Sequence, residues 1–64
     1  MKLNGIKRSL DASLTLQSLL ALEGFDTSRV VVEKNGIIIS RSAFESTVVH
    51  DSDTIEVVAF VGGG

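Results

Sequence analysis

The sequence predicts an α+β domain in which one main helix packs on a mixed sheet. Three observations carry that prediction. Two Asn-Gly dipeptides each sit between strand-like runs, one stripe of leucines falls at helical spacing, and an apolar-rich run closes the chain over 54–61. The resulting order, ββ-α-ββ-β, is an α+β layout.

The first hairpin is read over 1–10. Asn4-Gly5 separates two short strands because both central positions of a type I′ turn need positive φ. Leu3 and Leu10 are expected to face the core. The main helix is read over 15–24. Thr15 is a suitable N-cap, with Ser13 as a competitor, since a hydroxyl can accept a free backbone N–H of the first turn. Leu16, Leu19 and Leu20 fall at i, i+3 and i+4 and form one apolar stripe. Leu22 and Phe25 are expected to extend the packing past the helix end, and Gly24 sits where a left-handed C′ residue is wanted.

The second hairpin is read over 30–40. Val30-Val31-Val32-Glu33 and Ile37-Ile38-Ile39-Ser40 flank Lys34-Asn35-Gly36. These runs are apolar at consecutive positions, which predicts strands covered on both faces or one face kept for a partner. Residues 41–49 are read as irregular, with a short helical turn at Ser42–Glu45 and Phe44 plugging the edge of the core. Asp51-Ser52-Asp53 is read as a solvated turn whose aspartates bond their own backbone two residues on. The last strand is 54–61.

Size and composition bound the function. The chain has 64 residues and no cysteine, so one domain must be held by apolar packing, without disulfides or thiolate zinc sites. A hydrophobic content of 44% against 22% charged residues suits that and argues against disorder. The net charge of −2, with scattered basic residues and no Trp or Tyr, points away from nucleic acid. The longest purely apolar run, Val57–Val61, is far short of a membrane span, and there is no signal-peptide pattern. The expected compartment is the cytoplasm, with no membrane partner.

Catalysis by the chain itself finds no candidate constellation. His50 is the single imidazole, with Asp51 and Asp53 beside it, and a metal site needs more ligands than that. None of the many hydroxyls lies in a Gly-x-Ser-x-Gly elbow or a phosphate-cradling glycine loop. The feature that stands out is Gly62-Gly63-Gly64 following directly on a strand. Without Cβ atoms such a tail can thread a narrow channel, and a nucleophile can reach its carbonyl from either face. The reactive group is then expected to be the Gly64 carboxylate, with Gly62 and Gly63 as its flexible lead. Three glycines carry a high ordering entropy, so 62–64 are expected to be mobile without a partner.

Side chains alternate along the last strand. Ile55, Val57, Ala59 and Val61 share one face, and Ile55 and Val57 are expected to fill the core. Glu56 marks the other face as wet, which leaves Val58 and Phe60 exposed near the tail. Val58 and Phe60, joined by Val31 or Ile38, are the expected docking surface for partners; the alternative is that the Ser42–Phe44 segment or a dimer contact covers them.

Met1-Lys2-Leu3-Asn4-Gly5, Thr15-Leu16-Gln17-Ser18-Leu19-Leu20, Val32-Glu33-Lys34-Asn35-Gly36 and the closing stretch from Asp51 to Gly64 together span nearly the whole chain. Through them the chain resembles the ThiS family, the sulfur carriers of thiamin (thiazole) biosynthesis, which are ubiquitin-like β-grasp proteins. Ser52 departs from the Asp-Gly-Asp turn common in that family, which touches the turn type and not the function. The resemblance implies a β-grasp domain over 1–61 and a flexible reactive tail over 62–64. It implies no bound cofactor and no enzymatic activity of the chain's own. An E1-like adenylating enzyme of the ThiF class would consume ATP to adenylate Gly64. A persulfide sulfur donor would leave a terminal thiocarboxylate there, and a thiazole synthase of the ThiG class would accept the sulfur. Two other readings are a MoaD-like carrier for molybdopterin synthesis and a non-reactive β-grasp interaction module. MoaD-like chains are usually longer, with prolines shortly before the tail, where this chain has Ala59-Phe60-Val61 and no proline. An interaction module would keep its activity after removal of the glycines.

Overall fold

The computed structural model describes residues 1–60. Its main sheet has five strands in the order β2-β1-β7-β4-β5, where β1 is Lys2–Leu3, β2 Ile6–Lys7, β4 Val30–Lys34, β5 Ile37–Ile39 and β7 Thr54–Ala59. β1 runs parallel to β7, and the other neighbours are antiparallel. The sheet is therefore mixed, as expected, with one main helix, α1 (Leu16–Leu22), packed against it.

Both hairpins turn on the predicted dipeptides. Asn4 and Asn35 have φ of 51° and 53°, and Gly5 and Gly36 follow at 81° and 83°, the left-handed pair that a two-residue turn requires. Helix α1 starts where its chemistry says it should. Thr15 Oγ1 accepts the Ser18 N–H at 3.1 Å, so Thr15 and not Ser13 is the cap. Two further free amides of the first turn, those of Leu16 and Gln17, donate to the Thr47 and Phe44 carbonyls at 2.8 and 3.0 Å. At the other end Gly24, at φ 80°, donates to Ala21 O and Phe25 N donates to Leu20 O, a Schellman closure.

Four expectations need correction. Leu22 does not extend the packing: it is 76% exposed. It lies roughly 200° around the helix from Leu20, outside the arc spanned by Leu16, Leu19 and Leu20. Phe25, brought back by the Gly24 reversal, does pack on the core. Second, Phe44 is no edge plug but one of the largest fully buried side chains, at 1% exposure. The segment carrying it is tied to the start of α1 by the Leu16 and Gln17 amides and braced within itself by Thr47 Oγ1 donating to Ala43 O at 2.7 Å. Third, 41–49 is more ordered than expected. A 3₁₀ turn covers Arg41–Ala43, and β6 (Val48–Val49) pairs with β3 (Leu14–Thr15) as a second, two-stranded sheet. Fourth, the turn aspartates do not bond their own backbone two residues on. Asp51 Oδ1 instead accepts the Leu10 N–H at 2.9 Å and the Met1 ammonium at 3.1 Å. Asp53, which is buried and not solvated, accepts the His50 N–H at 2.8 Å.

The core is one cluster: Leu16, Leu19 and Leu20 of α1 meet Leu3, Val30, Val32, Ile55 and Val57 of the sheet, with Met1, Phe44 and Val49 closing it. Among the described residues only one face of the sheet is covered. The consecutive apolar residues of the second hairpin thus mark an open face, since Val30 and Val32 are buried while Val31 and Ile38 are exposed.

Candidate functional site

The described chain leads to its glycine tail along β7, the central strand. Over Thr54 and Ile55, β7 pairs with β1 on one edge, and over five residues it pairs with β4 on the other. β1 ends at Leu3, so the next amide on that edge needs another acceptor. Asn4 Oδ1 supplies it, accepting the Val57 N–H at 2.7 Å. Beyond the last β4 pair, Phe60 N donates to Arg29 O at 2.8 Å. At its start, Thr54 N donates to Asn35 Oδ1 at 2.9 Å. The chain is therefore held from Thr54 as far as Phe60, the last described residue. Val61 and the tail residues Gly62, Gly63 and Gly64 lie outside the described residues. So do the expectation of a mobile tail, the 61/62 boundary and the Gly64 carboxylate.

Both residues expected to dock partners lie on the open face: Val58 and Phe60 are each 57% exposed, while Ile55 and Val57 on the opposite face are buried. Val58 stands directly opposite Val31, which is 38% exposed, and Glu56 stands opposite Glu33. Ile38, opposite Glu33 on its other side, is also exposed, so the Glu33 carboxylate separates it from Val58. Nothing in the 42–44 segment covers Val58 or Phe60. The face is thus a short apolar strip toward the tail with carboxylates behind it.

A charged cluster that sequence reasoning missed lies beside Phe60. A 3₁₀ turn over Thr27–Arg29 is capped by Asp26, whose Oδ1 accepts the Ser28 hydroxyl at 2.6 Å and the Ser28 N–H at 3.0 Å. Those bonds, with the Arg29 and Arg41 guanidiniums nearby, hold the Asp26 carboxyl below its ordinary range. Arg29 approaches Asp26 at 3.6 Å, and Arg41 Nε donates to Thr27 O at 2.9 Å. The Asp-x-Ser spacing was a readable cap signal. That it would sit beside Phe60 was not.

The remaining titratable groups hold the fold together. Asp53 is kept below the usual carboxylate range by the His50 N–H first, against its burial, and then by Asn35 Nδ2 and Lys34. Asp51 is lowered by the Leu10 N–H and then the Met1 ammonium. His50 Nδ1 is 3.8 Å from Asp53 Oδ2. Among the described residues no three His, Cys, Asp or Glu side chains gather as a metal would need. An open depression of about 260 Å³, lined by Met1, Lys2, Lys7 and the 51–54 turn, lies at the start of β7, the end remote from the tail. Among the described residues no helix is long and apolar enough to cross a membrane.

Comparison with known proteins converges with this geometry. A sequence model of the ThiS family matches residues 1–64. The chain is 39% identical to the sulfur carrier protein ThiS of Bacillus subtilis, covering 100% of this chain and 98% of that one. It is 42% identical, over 97% of its length, to a thiazole synthase of Paramagnetospirillum magneticum, and it spans 19% of that relative's length. A second thiazole synthase, from Magnetococcus marinus, is matched over the same 19% share. Among solved structures, the thiamine biosynthesis protein ThiS from Geobacter metallireducens superposes with a TM-score of 0.80 at 39% identity, covering 98% of this chain and 96% of that one.

Proposed function

The chain belongs to the ThiS family, and we propose that it is a sulfur carrier whose reactive group is the Gly64 carboxylate. The observation that carries this reading is the end-to-end sequence match to a protein named as a sulfur carrier, beside the fold match to a solved ThiS. The described residues add one support: a central strand, bonded on both edges, that runs toward the glycines.

The chemistry then falls to partners. A carboxylate is a poor acyl donor. An E1-like enzyme of the ThiF class joins it to AMP from ATP, releasing pyrophosphate and giving the acyl carbon a good leaving group. The outer sulfur of a persulfide donor attacks that carbon, and AMP departs. A partner thiol then cleaves the S–S bond, is itself oxidised to a disulfide, and leaves a thiocarboxylate on Gly64. A thiazole synthase of the ThiG class takes that sulfur. Two proteins named thiazole synthase contain a segment similar to this chain. Joining carrier and acceptor in one chain raises their effective concentration, which supports such a synthase as receiver. Val58 and Phe60, with Val31 beside them, dock the carrier on both enzymes, and the site of action in this reading is the cytoplasm.

Intact mass after incubation with ATP, a ThiF-class enzyme and a persulfide source tests the proposal. The expected result is the gain of one sulfur for one oxygen, confined to the C-terminal peptide. Gly64→Ala should lower the yield strongly, and a residue added after Gly64 should abolish it while the melting curve stays unchanged. Thiocarboxylate formed on the extended, untrimmed chain would overturn the mechanism.

A further inference from the structure

The two Asn-Gly turns are alike in local sequence and in backbone, yet the fold treats their side chains differently. Asn35 is engaged at every polar atom that faces β7. Its N–H donates to Thr54 O at 2.8 Å, its Oδ1 accepts the Thr54 N–H at 2.9 Å, and its Nδ2 donates to Asp53 Oδ1 at 2.9 Å. Asp53 is in turn fixed by the His50 N–H and by Lys34 at 3.8 Å. Asn4 donates from its N–H to Ile55 O at 2.9 Å and accepts the Val57 N–H on Oδ1 at 2.7 Å. Among the described residues its Nδ2 has no acceptor. Both asparagines are exposed and each hairpin ends in an edge strand, β2 for Asn4 and β5 for Asn35, but β1 and β2 pair over two residues where β4 and β5 pair over three.

We propose that Asn4 is a site of spontaneous deamidation and that Asn35 is protected from the same reaction by its tertiary contacts. The Gly5 amide nitrogen, losing its proton to water, bonds to Cγ of Asn4. The Cγ–Nδ2 bond breaks, ammonia leaves, and a five-membered succinimide remains. Water then opens one of the two imide bonds to give aspartate or isoaspartate; no electrons are exchanged. Glycine after the asparagine leaves the attacking nitrogen without a Cβ to obstruct it. At Asn4 the side chain has one hydrogen bond to release, and its hairpin, the more shortly paired of the two, opens locally with fewer contacts to break. At Asn35 the leaving nitrogen is tied to a carboxylate, and that carboxylate opposes the negative charge that develops on the attacking nitrogen. One charge-assisted hydrogen bond more lowers the population of freed side chain by about tenfold. The products differ in consequence. Aspartate at position 4 keeps an acceptor for the Val57 N–H, while isoaspartate adds a backbone atom to a two-residue turn and displaces β1 from its register.

Ageing the full chain at mildly alkaline pH and 37 °C, with peptide mapping and isoaspartate labelling at each turn, tests this. In the folded protein Asn4 should convert about tenfold faster than Asn35. In a parallel sample unfolded in urea the two rates should become similar, because only the fold distinguishes them. Equal rates in the folded protein, a faster Asn35, conversion of neither site, or a rate difference that persists in urea would each overturn the proposal.

Discussion

Neighbouring side chains along residues 55–60 meet opposite fates. Ile55 and Val57 are 0% and 7% exposed, and Val58 and Phe60 are 57%. All four are apolar, so hydrophobicity does not separate them. What separates them is the pleat, which sends alternate residues to opposite faces, together with the single helix, which covers one face. Burial against α1 and Phe44 makes the first pair a stability determinant. The second pair sits in water on a strand held by hydrogen bonds at both edges, so it contributes contact surface without contributing much to folding.

The sharpest break of that contrast is at Phe44. Phe44→Ala should cost about 3–5 kcal/mol in denaturant unfolding, a large share of the stability of so small a domain. A loss near zero would mean that the covered face is not one packed unit. On the open face, Phe60→Ser should leave unfolding free energy within about 0.5 kcal/mol. Its affinity for the activating enzyme, read by calorimetric titration, should fall about tenfold or more if Phe60 is an anchor. A stability loss equal to that of Phe44→Ala would erase the distinction between the faces. Thr15→Ala removes the cap that starts α1 over the covered face and should cost about 1 kcal/mol, measured as a lower thermal midpoint.

The smallest effect is at the turn that begins β7. The folded pKa of Asp53 lies below its ordinary value of 3.8. Around that pH the folded chain binds fewer protons than the unfolded one, so this contribution to stability is complete above 3.8 and drains as the pH falls through the folded value. Unfolding curves across the acid range should show that loss, and Asp53→Asn should flatten it. An unchanged acid limb in Asp53→Asn would place the sensitivity elsewhere, with Asp51 and its Leu10 and Met1 donors the next group to test.

Much of the fold was legible because its signals are local. An Asn-Gly pair sets a left-handed turn whatever surrounds it, Thr15 and Gly24 bracket a helix from within a few residues, and the alternation along 54–60 assigns each side chain to a face. For the candidate site the same alternation singled out Val58 and Phe60, and the glycines that follow them carry their own chemical argument. Leu22 escaped the reading because apolar identity says nothing of angular position once the stripe is full. Phe44 escaped it because an irregular segment has no period from which to infer burial.

What the sequence determined by itself is therefore whatever depends on neighbours along the chain: turn types, caps, the helical stripe, the strand faces and the character of the tail. Tertiary structure alone decided which distant partners complete them. It placed β1 parallel to β7, joined Leu14–Thr15 to Val48–Val49, brought the Thr27–Arg29 turn to Phe60, and gave Asp51 the Met1 ammonium, 50 residues away in sequence. Two like turns, Asn4-Gly5 and Asn35-Gly36, came to differ in that one of them was folded against Asp53. The physical reason is that backbone geometry is set by short-range sterics, while a side chain's hydrogen bonds and burial depend on what closure of the chain brings beside it.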